Sequence, residues 1–243
     1  MNWVAVLRGG APPWAALIGE GAGTADFIVG PPLPDGDAVP ATIVRVSGIE
    51  GWLSVSERDP GSRLPERCPE LHVNEDSSFC MARRGYRCGD AAGADMFWQD
   101  IGEYLVNQHF AARRGRWPVG RWLSHGPAAA DRQVEAEKLA AELGAADAYA
   151  DCLESDEGWI AELVQSGGPK VPRLLPCPLG CRNPDGVIAT LGDCGHRSPL
   201  QKIVAAERQR RAAQGAYFAA LRQRNRKCCG RVRGCPLDRE MAA

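Results

Sequence analysis

Cys80 ends a polar run, His72-Val73-Asn74-Glu75-Asp76-Ser77-Ser78-Phe79-Cys80-Met81, that places a thiol, an imidazole, an amide and carboxylates close together in the chain. Such a set suits acyl transfer through a thioester: the thiol supplies the nucleophile, and nearby donors can stabilise the oxyanion that forms when the carbonyl is attacked. Phe79 and Met81 alternate with Ser78 and Cys80. In an extended segment, alternation puts Cys80 on the face opposite its apolar neighbours, where the thiol is accessible. The competing reading is a buried structural thiol, since free cysteine is among the most buried residue types. His72 is a candidate oxyanion donor or proton acceptor, because its reference pKa of roughly 6.5 lies near working pH. Asn74 reads as a turn-shaping residue. Asp76 reads either as a group that handles an incoming amine or as a cap on the turn.

A second constellation lies near the C-terminus. Cys177-Pro178-Leu179-Gly180-Cys181 followed by Cys194-Gly195-His196 gives Cys-x3-Cys-x12-Cys-x-His. Proline and glycine between paired cysteines make a tight knuckle, and four such ligands satisfy tetrahedral Zn2+. With four protein ligands the site is closed and therefore structural, folding a small module that lacks enough core of its own. Cys228, Cys229 and Cys235 follow. They complete the same site or begin another that lacks a fourth ligand. Adjacent cysteines do not easily bind one metal together, so Cys229 and Cys235 take precedence over Cys228 as ligands. Cys68 and Cys88 flank the Cys80 turn and read as core thiols ahead of a redox or metal pair.

The elements that must position these groups are readable in outline. Residues 1 to about 66 show short apolar runs broken by glycine and proline: Trp3–Leu7, Asp26–Val29, Ala41–Val46 and Gly51–Val55. They predict strands of an antiparallel meander, with Pro34-Asp35-Gly36-Asp37 as one of its turns. An extended connector, Pro60 to Leu71, leads into the cysteine turn. Phe97, Ile101, Tyr104 and Leu105 fall at helical spacing behind a candidate N-cap at Asp95, and that helix should end near Gly115. A loop rich in tryptophan and glycine, Trp117 to Gly126, comes next. His125 within it reads as part of a helix-entry turn, ahead of a role folded over the cysteine. Further helices are predicted from about Ala128 to Leu143, from about Ala146 to Gln165, and from Leu200 to about Lys227. Gly167-Gly168-Pro169 is the clearest boundary.

A content of 44% hydrophobic and 24% charged residues is that of a soluble globular chain, and 28 glycines with 18 prolines argue against a bundle of long helices. No apolar run reaches the length of a membrane span. The N-terminus lacks a charged region followed by an apolar core and reads as a strand start instead of a signal peptide. The expected location is therefore cytoplasmic, where cysteines are thiols or metal ligands. From Arg197 onward the chain carries 12 basic and 3 acidic residues against a whole-chain charge of −1. Such a basic tail docks on an acidic partner, on nucleic acid or on its own chain, or is a solvated helix face. Sparse aromatic interleaving and a near-neutral balance speak against nucleic acid.

The Cys80 run resembles the active-site segment of ubiquitin-conjugating (E2) enzymes, an asparagine-led stretch that ends Gly-Ser-Ile-Cys-Leu. Met81 stands where that family has leucine, Phe79 where it has isoleucine or valine, and Ser77 where it has glycine; Ser78 and Asn74 match. No His-Pro-Asn motif is present. Glu70-Leu71-His72 stands in its place, which is similar to bacterial E2-like proteins that carry a histidine in that region. Trp98, in the helix after the cysteine, looks like the tryptophan that leads into the E2 helix behind the sheet. The resemblance covers roughly residues 25 to 125.

The resemblance implies an α+β fold with an E2/UBC-like core over 1–127; beyond it the residues read as a helical extension over 128–168 and a zinc-binding module with a basic helix over 169–243. It implies an enzyme that accepts a ubiquitin-like protein from an E1-like adenylating enzyme as a Cys80 thioester and passes it to an amine on a protein target. Bacterial systems of this kind include several that defend against phage. Two other readings stand beside it: a non-catalytic zinc-containing adaptor or nucleic-acid-binding protein, and a thiol hydrolase built on Cys80 with His72 or His125. The hydrolase reading lacks an orienting third group.

Overall fold

The computed structural model describes residues 2–49, 51–81, 86–118, 124–168 and 170–238. They form two compact units. One contains residues 1–118 and 227–243, the other residues 119–226. Parts of the Trp/Gly loop (119–123) and Pro169 of the predicted boundary lie outside the described residues.

The first unit opens with helix α1 (Trp3–Gly9), where the sequence predicts a strand. Asn2 explains the difference: its side-chain oxygen accepts from the backbone N–H groups of Val4 and Ala5 and caps a short helix. Val4 and Leu7 face inward. Four strands follow in sequential antiparallel order: β1 (Ala15–Gly21), β2 (Thr24–Val29), β3 (Thr42–Ile49) and β4 (Trp52–Glu57). The sequence reading contains β2 to β4 and lacks β1, whose Ala-Ala-Leu-Ile-Gly-Glu-Gly has little β-branched character. Phe27 and Val29, Val44 and Val46, and Leu53 and Val55 point to one buried face at the two-residue period of a half-covered sheet.

Helix α2 (Ala91–Arg114) is capped by Asp90, which accepts from Gly93 N–H; it begins a turn ahead of the expected start at Asp95. It ends at Gly115, whose φ of 67° is the left-handed conformation that glycine adopts without cost. Trp98 donates its indole N–H to Leu7 O at 3.0 Å and meets Phe27 and Trp14 edge-on, so one residue ties α1, the sheet and α2 together. The antiparallel meander with packed helices expected from the sequence is present.

The second unit consists of α3 (Pro127–Glu142), α4 (Ala146–Ser155), α5 (Gly158–Gln165) and α6 (Arg197–Gln223), with a hairpin-like segment, residues 176–190, before α6. The single helix predicted over 146–165 is broken at Asp156, which sits at φ 58°. Glu207, fully buried on α6, binds Tyr149 Oη at 2.8 Å and the guanidinium groups of Arg210 and Arg211 at 2.6–2.7 Å. Arg208 donates to the carbonyls of Leu163, Val164 and Gly168 at the end of α5. Much of the basic stretch is thus spent on the unit's own chain. Among the described residues no helix is long and apolar enough to cross a membrane.

Candidate functional site

The Cys80 segment is held on both sides by backbone. A 3₁₀ turn, Pro69–Leu71, ends at His72 in a left-handed conformation, φ 52°. Val73 then exchanges backbone hydrogen bonds with Cys68 at 2.9 and 3.1 Å. The chain reverses over Asn74–Ser78 and runs back so that Cys80 N–H donates to His72 O at 2.8 Å. On its other side Phe79 N–H donates to Val55 O at 2.7 Å, and Ser78 bridges Ser56. β4 is the last strand of the sheet, and the cysteine segment covers part of that open edge.

The turn itself is polar. Asn74 Nδ2 donates to Ser78 Oγ at 3.0 Å, and Asp76 Oδ1 accepts from Ser78 N–H at 3.0 Å and Ser78 Oγ at 2.6 Å. Ser77 sits at φ 68°. This is the position where the E2 pattern carries glycine, and the geometry shows why glycine suits it.

Alternation works as expected: Phe79 and Met81 are buried and Cys80 between them is exposed. Protein packed around the sulfur still disfavours the charged form and pushes the Cys80 thiol above its ordinary value. His72 lies differently. It is only 5% exposed, with its ring 4.7 Å from that of Trp117. Its link to Cys80 runs through its backbone carbonyl. Asn74 and Asp76 are on the exposed turn.

Two further residues position the site. Tyr104 on α2 is fully buried, stacks on Phe79 with ring centroids 4.5 Å apart, and donates its hydroxyl to His72 O at 3.2 Å. Gln108, one turn along, donates from Nε2 to Tyr104 Oη at 2.7 Å and to Leu71 O at 2.5 Å. Burial keeps the Tyr104 phenol well above its usual range, so it stays a neutral donor. The sequence shows an i, i+4 pair on the inner face of α2; a polar clamp on two carbonyls in a distant turn is invisible at that level.

In the second unit, Cys177, Cys181, Cys194 and His196 bring one ligand atom each to within 4.8 Å of one another. Cys177 and Cys181 come from the knuckle at the start of the hairpin, where Gly180 N–H bonds Cys177 O at 3.0 Å. Cys194 and His196 come from the turn that leads into α6. Cys181 Sγ is 3.1 Å from His196 Nδ1, and Cys194 Sγ is 3.4 Å from Cys177 Sγ. Burial raises the Cys177 thiol, but hydrogen bonds led by those from Leu179 N–H and Cys194 outweigh it, and the thiol is lowered. The donor set, three soft sulfurs and an imidazole, fits structural Zn2+. Cys177 and Cys194 belong to the same core as Tyr149, Ile160, Leu200 and Ile203, so the ligands are part of how this unit packs.

Cys229 and Cys235, named with these ligands from the sequence, belong to the other unit. There Cys229 Sγ lies 3.0 Å from Cys68 Sγ, and Cys235 is 1% exposed. Cys88 is a buried thiol bonded to Gly93 O at 3.4 Å. His125 packs against Tyr217 and Phe218 of α6, immediately before α3, as a helix-entry residue.

No curated protein and no solved structure matches the chain. Residues 15–119, from β1 through the Cys80 turn and α2, match the family model of the prokaryotic E2 domain, and the N-terminal part of this chain is an E2-like domain.

Proposed function

We propose that this protein is an E2-like carrier of a ubiquitin-like protein, with Cys80 as its nucleophile. The observation that carries the reading is an exposed cysteine between two buried apolar residues, held along the edge of the sheet within the region that matches the prokaryotic E2 domain. In the first step Cys80 Sγ attacks the thioester carbonyl on an E1-like enzyme. The new S–C bond forms as the old one breaks, and the Cys80 proton leaves with the departing thiolate. In the second step an amine of the target attacks the same carbonyl, the oxyanion collapses, and the Cys80 thiolate departs while the amine loses a proton.

The raised Cys80 pKa means that the free thiol is mostly protonated, so deprotonation is coupled to arrival of the E1 thioester. Asp76, exposed on the adjoining turn, is the carboxylate offered to the incoming amine. Asn74 shapes the turn. His72 contributes as a positioning residue through its carbonyl. Zn2+ in the second unit would be held by Cys177, Cys181, Cys194 and His196 and would supply folding free energy only. The partners of the reading are a ubiquitin-like protein, an E1-like enzyme and a protein target, in a cytoplasmic bacterial conjugation system of the kind directed against phage.

One observation favours a second reading, a non-catalytic zinc-containing adaptor: the only imidazole in the Cys80 run is buried against Trp117. A single experiment separates the two. The protein and Cys80→Ser are incubated with ATP, an E1-like enzyme and its ubiquitin-like protein, and followed by intact mass and non-reducing gel. The carrier gives a thiol-sensitive adduct in wild type and none, or a thiol-resistant ester, in the variant. No adduct with an active E1 leaves the adaptor.

A further inference from the structure

The segment after α6, residues 227–238, contains neither helix nor strand, yet it is fixed to the E2-like unit. Arg233 N–H donates to Gly115 O at 2.6 Å, and Arg231 Nη1 donates to Arg63 O at 2.7 Å. Only Val232, Cys235 and Leu237 supply buried apolar side chains. Three side chains are far too few to order a dozen residues, each of which loses roughly 1–2 kcal/mol of backbone entropy. Something else must hold this segment.

Four sulfurs meet where it docks. Cys229 Sγ is 3.0 Å from Cys68 Sγ, and Cys228 is in hydrogen-bonding contact with both Cys229 and Cys235. Each sulfur also receives a backbone N–H: Leu71 to Cys68, Gly230 to Cys228, Arg231 to Cys229 and Leu237 to Cys235. Three of these come from the residue two positions on, as Leu179 N–H does for Cys177 in the other cluster. Cys235-Pro236-Leu237 also repeats the Cys177-Pro178-Leu179 of that knuckle. Adjacent cysteines point to opposite faces in an extended chain. The contact between Cys228 and Cys229 puts both sulfurs on one side and removes the objection to their sharing a metal.

We propose that Cys68, Cys228, Cys229 and Cys235 form a second zinc site, separate from the Cys177 cluster, that staples the C-terminal segment to the E2-like unit. A metal about 2.3 Å from each sulfur sets the S···S separation at about 3.8 Å, so the Cys68–Cys229 pair, now 3.0 Å apart, opens slightly when the ion binds. Each thiol binds as thiolate and gives its proton to solvent. Four thiolates on one Zn2+ leave a net double negative charge, and Arg231 and Arg233 flank it in sequence. A disulfide between Cys68 and Cys229 would use two of the four sulfurs and leave Cys235 buried without a role. The site stands whether or not the carrier reading holds.

The test is zinc per chain by elemental analysis of the full-length protein purified under reducing conditions, with wild type, Cys181→Ser, Cys68→Ser and Cys229→Ser. Two zinc ions are expected in wild type and one in each variant. Cobalt substituted into Cys181→Ser should show the charge-transfer intensity of four thiolates. Cys181→Ser leaves the proposed site intact, so the proposal is decided even if Cys68→Ser fails to fold. One zinc in wild type and none in Cys181→Ser overturns it. So does an intact mass 2 Da low, mapped to a Cys68–Cys229 disulfide, in anaerobically purified protein.

Discussion

Cys80 and His72 are joined by a 2.8 Å hydrogen bond from the cysteine's N–H to the histidine's carbonyl, while the imidazole is buried elsewhere. The proximity that the sequence suggests is real, but it is a property of the backbone. His72→Ala should therefore remove packing against Trp117 while leaving the bond that positions Cys80.

Protein packed around its sulfur sets the reactivity of Cys80. Because its thiol is pushed up, its thiolate fraction at pH 7 is below that of a free cysteine, and its alkylation should keep climbing with pH beyond the ordinary thiol range. Peptide mass spectrometry after timed iodoacetamide treatment checks this. Alkylation of Cys80 faster than free cysteine at neutral pH would contradict it.

The clamp from α2 is testable by single substitutions. Tyr104→Phe removes the hydroxyl that serves His72 O and accepts from Gln108, and should cost about 1–3 kcal/mol in urea unfolding. It should also slow thioester formation more than the stability loss alone explains, since Phe79 and the Leu71–His72 backbone lose their fixed seat. Equal activity at temperatures where the variant is fully folded would remove Tyr104 from the positioning role.

Ser77 carries a left-handed backbone that glycine adopts freely. Ser77→Gly should stabilise the first unit by up to about 1 kcal/mol, and Ser77→Val should destabilise it by more. Thermal unfolding of both variants gives the sign directly.

His125 predicts an acid limb in stability. Desolvation lowers its pKa from 6.5 to about 4, so as pH falls the unfolded chain takes up the proton first. The stability is fully present above 6.5 and is lost between 6.5 and about 4, with a span of roughly 3 kcal/mol. Zinc ligands also protonate in acid, so the measurement is the difference in urea midpoint between wild type and His125→Phe across that window. A constant difference would exclude His125 as the cause.

Periodic burial made β2, β3 and β4 legible, because alternation is written into Asp26–Val29 and its partners. It failed where a cap or a contact decided the outcome. Asn2 turned a strand-like Trp3–Leu7 into a helix, and a left-handed Asp156 split the helix predicted over 146–165. The exposure of Cys80 was readable from its flanks. The burial of His72 was not, because it depends on Trp117, far along the chain. The Cys-x3-Cys-x12-Cys-x-His cluster was complete in local spacing. The pairing of Cys68 with Cys229 spans 161 positions, and no spacing rule reaches that far.

The Arg233–Gly115 contact has a topological consequence. The E2-like unit is written in two pieces, and the ends of those pieces meet where Arg233 N–H touches the carbonyl that closes α2. Residues 119–226 are thus a guest in a host whose seams already lie side by side. A chain cut after residue 118 would lose part of its host. A chain in which the guest is excised and the seams are bridged by a few glycines should keep the whole of it.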